Sequence, residues 1–177
     1  MIISAAVREQ VRQRANFVCE FCGISETDAG GELTIDHFQP KRHGGGDDID
    51  NLLYCCIRCN QHKLDYWPAS SDSPFLWNPR QSPLSQHFVE LDDGTLHPIT
   101  ETGAFTLHRL RLNRSQLVTH RRRNRQKAEN ARLLVQYRDV TRLITQMFIQ
   151  QSTLMDEQGR LFAWLRIIFW LLRGSEK

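Results

Sequence analysis

The sequence predicts an α+β fold: a small metal-organised module in the first third of the chain, followed by a mainly helical C-terminal region. Three observations predict it. Two Cys-x-x-Cys pairs, Cys19/Cys22 and Cys56/Cys59, frame one short segment. Two strand-like runs, LTIDHF and NLLYCC, lie within that frame. An apolar stripe at helical spacing, Leu133, Tyr137, Val140, Ile144 and Met147, runs through the second half.

Residues 4–17 place Val7, Val11 and Ala15 at helical intervals, with Ser4 available as an N-cap, so an amphipathic helix leads into the first cysteine pair. Between Cys19 and Lys63 the pattern breaks into short pieces: a Gly30-Gly31 turn, the first strand, the loop KRHGGGDDIDN, the second strand and the second cysteine pair. Residues 66–103 hold five of the six prolines and read as loops, with a hairpin where FVEL and TLHPI flank Asp92-Asp93-Gly94. Asn113 and Gln116, three apart, resemble a helix N-cap for the long helix that carries the stripe. Asp156, Glu157 and Gly159 predict a break before a last helix, LFAWLRIIFWLL, whose apolar residues go nearly all round and are expected to be buried against the stripe or in a subunit interface. The expected units are 1–66, the module with its N-terminal helix, and 67–177, the loop and hairpin segment with the C-terminal helices, with packing of the two as one unit left open.

Hydrophobic content of 40% and charged content of 24% exclude a disordered tail. A net charge of +3 is too small to indicate a nucleic-acid partner, but its distribution is uneven: between Arg109 and Arg132 a dense run of arginines meets one acid, Glu129. The apolar run from Leu161 to Leu172 contains Arg166 and falls short of the ~20 residues that span a membrane, so no membrane role is expected. The N-terminal sequence has no secretory pattern, which predicts a cytoplasmic protein. In that reducing compartment five cysteines point to metal rather than disulfides.

Each Cys-x-x-Cys pair can grip one side of a tetrahedral zinc at ~2.3 Å. Four sulfurs from Cys19, Cys22, Cys56 and Cys59 leave no open position for substrate, so this zinc is expected to be structural. Cys55 adjoins Cys56 and competes for its place, but the two-residue spacing to Cys59 favours Cys56, leaving Cys55 as a small buried residue.

Between the pairs stand Asp36-His37 and Asn51, and Asn60 follows Cys59 directly. With CEFC upstream, the stretch IDHFQPKRHGGGDDIDNLLYCCIRCNQHK resembles the zinc-braced branch of the HNH endonuclease family, over roughly the first third of the chain. The resemblance implies a ββα-metal nuclease module that hydrolyses phosphodiesters in nucleic acid, DNA foremost, leaving 5′-phosphate and 3′-hydroxyl ends. It makes His37 the general base, a role suited to an imidazole near neutral pH. Asp36 and Asn60 would give oxygen ligands to a catalytic Mg²⁺ or similar divalent ion, which keeps waters and takes phosphate oxygens. Asn51 would hold the loop and orient His37. Asn60 stands where the family more often has His. His62 is its rival, but residues two apart face different sides of a helix, and Asn60 fits the register.

Lys41, Arg42 and Lys63 are candidate phosphate contacts flanking the cut, and Arg121, Arg122 and Arg123 in the basic run are candidates for the DNA backbone. Gly44-Gly45-Gly46 lacks the ending of a phosphate-binding P-loop and reads as a flexible turn. Other readings stay open: a silent zinc-ribbon binding module, or a scaffold assembled through the C-terminal helices, which would also support a homodimer.

Overall fold

The computed structural model describes residues 3–70 and 72–174, with side chains to residue 171. Helix α1, Ala5–Arg14, begins where its cap predicts: the Ser4 hydroxyl accepts a hydrogen bond from Val7 N at 3.3 Å. Val11 and Ala15 are buried on its inner face. Asn16 and Phe17 then adopt positive φ and turn the chain into the first cysteine pair. A one-turn helix α2, Glu26–Ala29, is capped by Ser25 and closed by Gly30 in the left-handed conformation.

Strands β1, Thr34–His37, and β2, Leu52–Cys55, pair antiparallel, with Thr34 opposite Cys55 and His37 opposite Leu52. Helix α3, Ile57–Lys63, follows at once, its N-cap formed by the Cys56 sulfur accepting from Cys59 N. Two strands and this helix make the expected ββα unit.

Farther on, β3, Phe88–Glu90, and β4, Leu96–Pro98, form the expected hairpin. Gly94 holds φ of 82° in its turn, and a Cβ there would lie 2.8 Å from Val118 O, so the turn requires glycine. Helix α4, Glu101–Arg109, was not legible as an element; Thr100 caps it by accepting from Gly103 N. Asn113 does not cap the long helix. Its amide instead clamps β4, donating to Leu96 O and accepting from Leu96 N.

The chain divides into two compact units, Met1–Arg125 and Gln126–Lys177. In the first, one core joins Val11, Phe21, Leu53 and Tyr54 to Trp77, Phe88, Leu110 and Leu117, so segments on both sides of residue 66 share it. The second consists of the remainder of helix α5, Ser115–Gly174.

The expected break at residues 156–159 is corrected: the helix runs through, because one glycine costs only about 1 kcal/mol against good helix formers around it. So is packing of the last apolar segment against the stripe: in the single chain Phe162, Trp164 and Trp170 are exposed, as are Leu133, Tyr137 and Met147. Both segments lie along one continuous helix, which cannot fold its own segments together. Among the described residues no helix is long and apolar enough to cross a membrane.

Candidate metal sites and active centre

The four cysteines of the two pairs converge. Their sulfurs lie within 4.8 Å of one another, and all four residues are buried. A zinc ~2.3 Å from each of four tetrahedral sulfurs would set them ~3.8 Å apart, and Cys22 Sγ and Cys56 Sγ stand 3.7 Å apart. The tetrad is therefore compatible with a structural zinc. Cys55 is buried beside it, its thiol turned to Cys56 O. Neighbouring thiols hydrogen-bond to Cys19 and hold it well below its ordinary pKa, Cys56 is lowered as well, and Cys22 and Cys59 are pushed up. Arg114 reaches this cluster, with Nη2 3.7 Å from Cys59 Sγ and 3.9 Å from Cys56 Sγ. A four-thiolate zinc carries net negative charge, and this guanidinium offsets part of it.

Asp36 and Asn60 lie where α3 packs on β1. Asn60 Nδ2 reaches Thr34 Oγ1 at 3.4 Å, and Lys63 Nζ lies 3.0 Å from Asp36 Oδ2. Thr34 and Asp36 share one face of a strand, while Asn60 and Lys63 share one face of a helix, so the two pairs of contacts follow one seam. Asp36 Oδ2 is buried, with the Lys63 ammonium as its ionic partner. Burial raises the Asp36 carboxyl above its ordinary value, and Lys63 opposes that rise.

Lys63 itself is fully buried and donates to His37 O at 2.7 Å. The phosphate contact expected of it is corrected on that ground: its ammonium points inward and is spent on Asp36 and the backbone. Substituting Lys63→Met should cost about 3–5 kcal/mol, because it strands the Asp36 carboxylate without a counter-charge. With Asp36 raised further in the folded state, that deficit should be full at neutral pH. It should shrink as pH falls towards about 4, where the unfolded carboxyl also binds a proton. Urea unfolding at the two pH values reads it, and an unchanged midpoint at pH 7 would refute it.

His37 ends β1 and turns the other way. Its Nε2 lies 2.7 Å from Asp47 Oδ1, and Lys41 Nζ lies 2.7 Å from the same oxygen. Asp47 was missed, because nothing in GGGDDIDN separates it from the neighbouring acids; only the return of the loop singles it out. Lys41 and His37 together hold the Asp47 carboxyl below its ordinary value.

The loop is fastened by Asn51, whose amide donates to Gln39 O and Gly46 O at 3.1 and 2.9 Å while its Oδ1 accepts from Gln39 N at 2.8 Å. Gly45 is no mere flexible turn: a Cβ there would sit 1.8 Å from Gln39 O. The loop closes only with glycine at that point.

The remaining cations divide. Arg42 pairs with Asp65 and is exposed. Arg121 is half-buried and donates to Gly94 O, Leu112 O and Asn113 Oδ1, so the backbone contact expected of it is corrected to one that ties the hairpin to α5. Arg122 and Arg123 are exposed. His62 does not face the β1–α3 seam, and partial burial together with Arg111, Arg114 and Arg58 lowers its pKa.

A two-stranded hairpin, a following helix and a four-sulfur brace define a small ββα module of the metal-organised kind. Residues 19–65 match the HNH endonuclease family model, so this segment is similar to the nuclease modules of that family. The chain as a whole matches no curated protein.

Proposed function

We propose that the protein is a metal-dependent endonuclease that hydrolyses phosphodiesters in nucleic acid, DNA foremost, and works in the reducing cytoplasm. The observation that supports this reading is the set of Asp36 and Asn60 on the β1–α3 seam with His37 next to Asp36 at the end of β1, facing the loop, each side chain held by a named neighbour. A divalent ion such as Mg²⁺, held by Asp36 and Asn60, would supply charge stabilisation at the scissile phosphate and the leaving 3′ oxygen. His37 uses Nε2 on Asp47, which leaves Nδ1 as the atom that accepts a proton from the attacking water. Asp47 then stabilises the imidazolium formed, in the manner of a carboxylate behind a catalytic histidine. Asn51 keeps the loop closed and thereby fixes Asp47. Of the candidate cations, Lys41 and Arg42, each paired with a loop or turn carboxylate, and Arg122 and Arg123 are exposed and would meet phosphates.

A plasmid-cutting assay with Mg²⁺ or Mn²⁺ tests the reading. Metal-dependent nicking by wild type, lost in His37→Ala, is expected. Binding without cutting by wild type would favour a silent nucleic-acid-binding module instead.

For the second unit we infer that the helix pairs with another copy of itself. From residue 133 to 168 one heptad position holds Leu133, Val140, Met147, Leu154, Leu161 and Ile168, and its companion holds Tyr137, Ile144, Gln151, Gln158 and Leu165. A repeat sustained over so many heptads belongs to a helix seam, and an identical chain matches its register, including the two glutamines. Light scattering should show a dimer or higher assembly, and Leu154→Glu with Leu161→Glu should dissociate it. A wild-type monomer at micromolar concentration would refute the seam.

A further inference from the structure

Beside the His37 loop lies a cleft of about 580 Å³ that the hydrolytic chemistry does not use. Phe38 and Gln39, the two residues after His37, line it, as does Asn51, which fastens that loop. Trp67 packs beside Phe38 and also lines the cleft, its ring centroid 6.0 Å from that of Phe38 and 6.5 Å from that of Phe75, both edge-on. Trp67 is half-buried and Phe75 exposed, so the aromatic wall opens to solvent.

The rest of the lining decides what kind of ligand fits. Asn78 and Gln81 offer side-chain amides, and Asp48 and Asp50 offer exposed carboxylates. Among the described residues no lysine or arginine lines the cleft; its basic side chain is His87, whose two ring nitrogens are taken by Ser82 and Thr100. A phosphate would meet two carboxylates there and no lysine or arginine to offset them. A flat, uncharged ring with N–H donors would meet π-faces, amides and carboxylate acceptors.

We propose that this cleft receives an unpaired nucleobase of the substrate next to the phosphate that His37 addresses. The proposal rests on the nuclease reading and adds the substrate's form: single-stranded, or with one base turned out of its stack. A base inside a duplex has its face stacked and its donors paired, so it cannot enter. Aromatic stacking accepts every base. The carboxylates favour bases bearing an exocyclic amino group.

The test measures binding of short oligodeoxynucleotides to His37→Ala protein, by fluorescence anisotropy with Mg²⁺ present, so that cutting does not intrude. Single strands should bind roughly tenfold or more tightly than a duplex of equal length. Trp67→Ala should weaken the single-strand complex by about the same factor and leave duplex affinity unchanged, and Trp67→Phe should restore most of the loss. A second variant, Phe75→Ala, keeps the test open should Trp67→Ala fail to fold. Equal affinity for both forms, or an equal loss on both in these variants, overturns the proposal. The two readings fail separately. Wild type that cuts without any dependence on Trp67 or Phe75 removes the cleft and keeps the nuclease. Wild type that cuts nothing, yet binds single strands through Trp67, removes the nuclease and keeps the cleft.

Discussion

Cys19→Ser and Cys56→Ser are each expected to abolish zinc uptake and to leave the first unit without cooperative folding. The tetrad holds together segments far apart in the chain: the turn after α1, and the junction of β2 with α3. A structural zinc contributes about 10–16 kcal/mol of apparent binding free energy, whereas a whole domain is stable by only about 5–15 kcal/mol. Losing the ion therefore removes as much as the fold has to lose. A serine in place of one sulfur makes a poor zinc ligand, and without the ion the remaining thiols take up protons and no longer tie the two segments together. Metal analysis with far-UV circular dichroism reads both effects, and a strong chelator should reproduce them in wild type. Cys55→Ala is the control: its sulfur is outside the tetrad, so zinc content should stay at one per chain. Undiminished zinc and a retained unfolding transition in Cys19→Ser would refute the brace.

The second large effect falls on rate rather than stability. His37→Ala should lower cleavage by about 10²- to 10⁴-fold, the usual contribution of one general base, with zinc content and the unfolding midpoint near those of wild type. The side chain lies at the exit of β1 with one polar partner, Asp47, and the core does not include it. Its backbone carbonyl, which anchors Lys63, survives the substitution. That separation of rate from fold is the check: a variant that cuts as wild type does would end the assignment of His37, and a variant that unfolds would show that the imidazole is structural.

Much of the framework was legible because it depends on neighbours in sequence. Two-residue cysteine spacing, the Ser4 cap, the alternating runs around Asp36 and Leu53, and the Asp-Asp-Gly turn all express chemistry that acts over a few residues. The site was legible only in its side-chain types. Asp36, His37, Asn51 and Asn60 could be picked out by order, but not their partners. Asp47 looks like any loop acid until the loop returns it to His37. Lys63 and Arg121 read as surface cations, and only the packing of α3 on β1 and of α5 on the hairpin turns them inward. Helix α4 went unseen because the prolines before it signal loops, and its buried residues meet remote backbone, Thr106 at Trp77 N and Gly103 at His87 O.

By itself, then, the sequence determined which residues can bind metal, where short elements begin, and that the long helix carries a continuous apolar stripe. The tertiary structure decided which charges are held inside as counter-ions, and it left the stripe exposed in the single chain rather than packed on the last apolar segment. The physical reason is distance along the chain. Local patterns are set by covalent geometry and hydrogen bonds between near neighbours, whereas the pairing of Asp36 with Lys63, His37 with Asp47 and Arg114 with the cysteines arises only when segments remote in sequence close on one core.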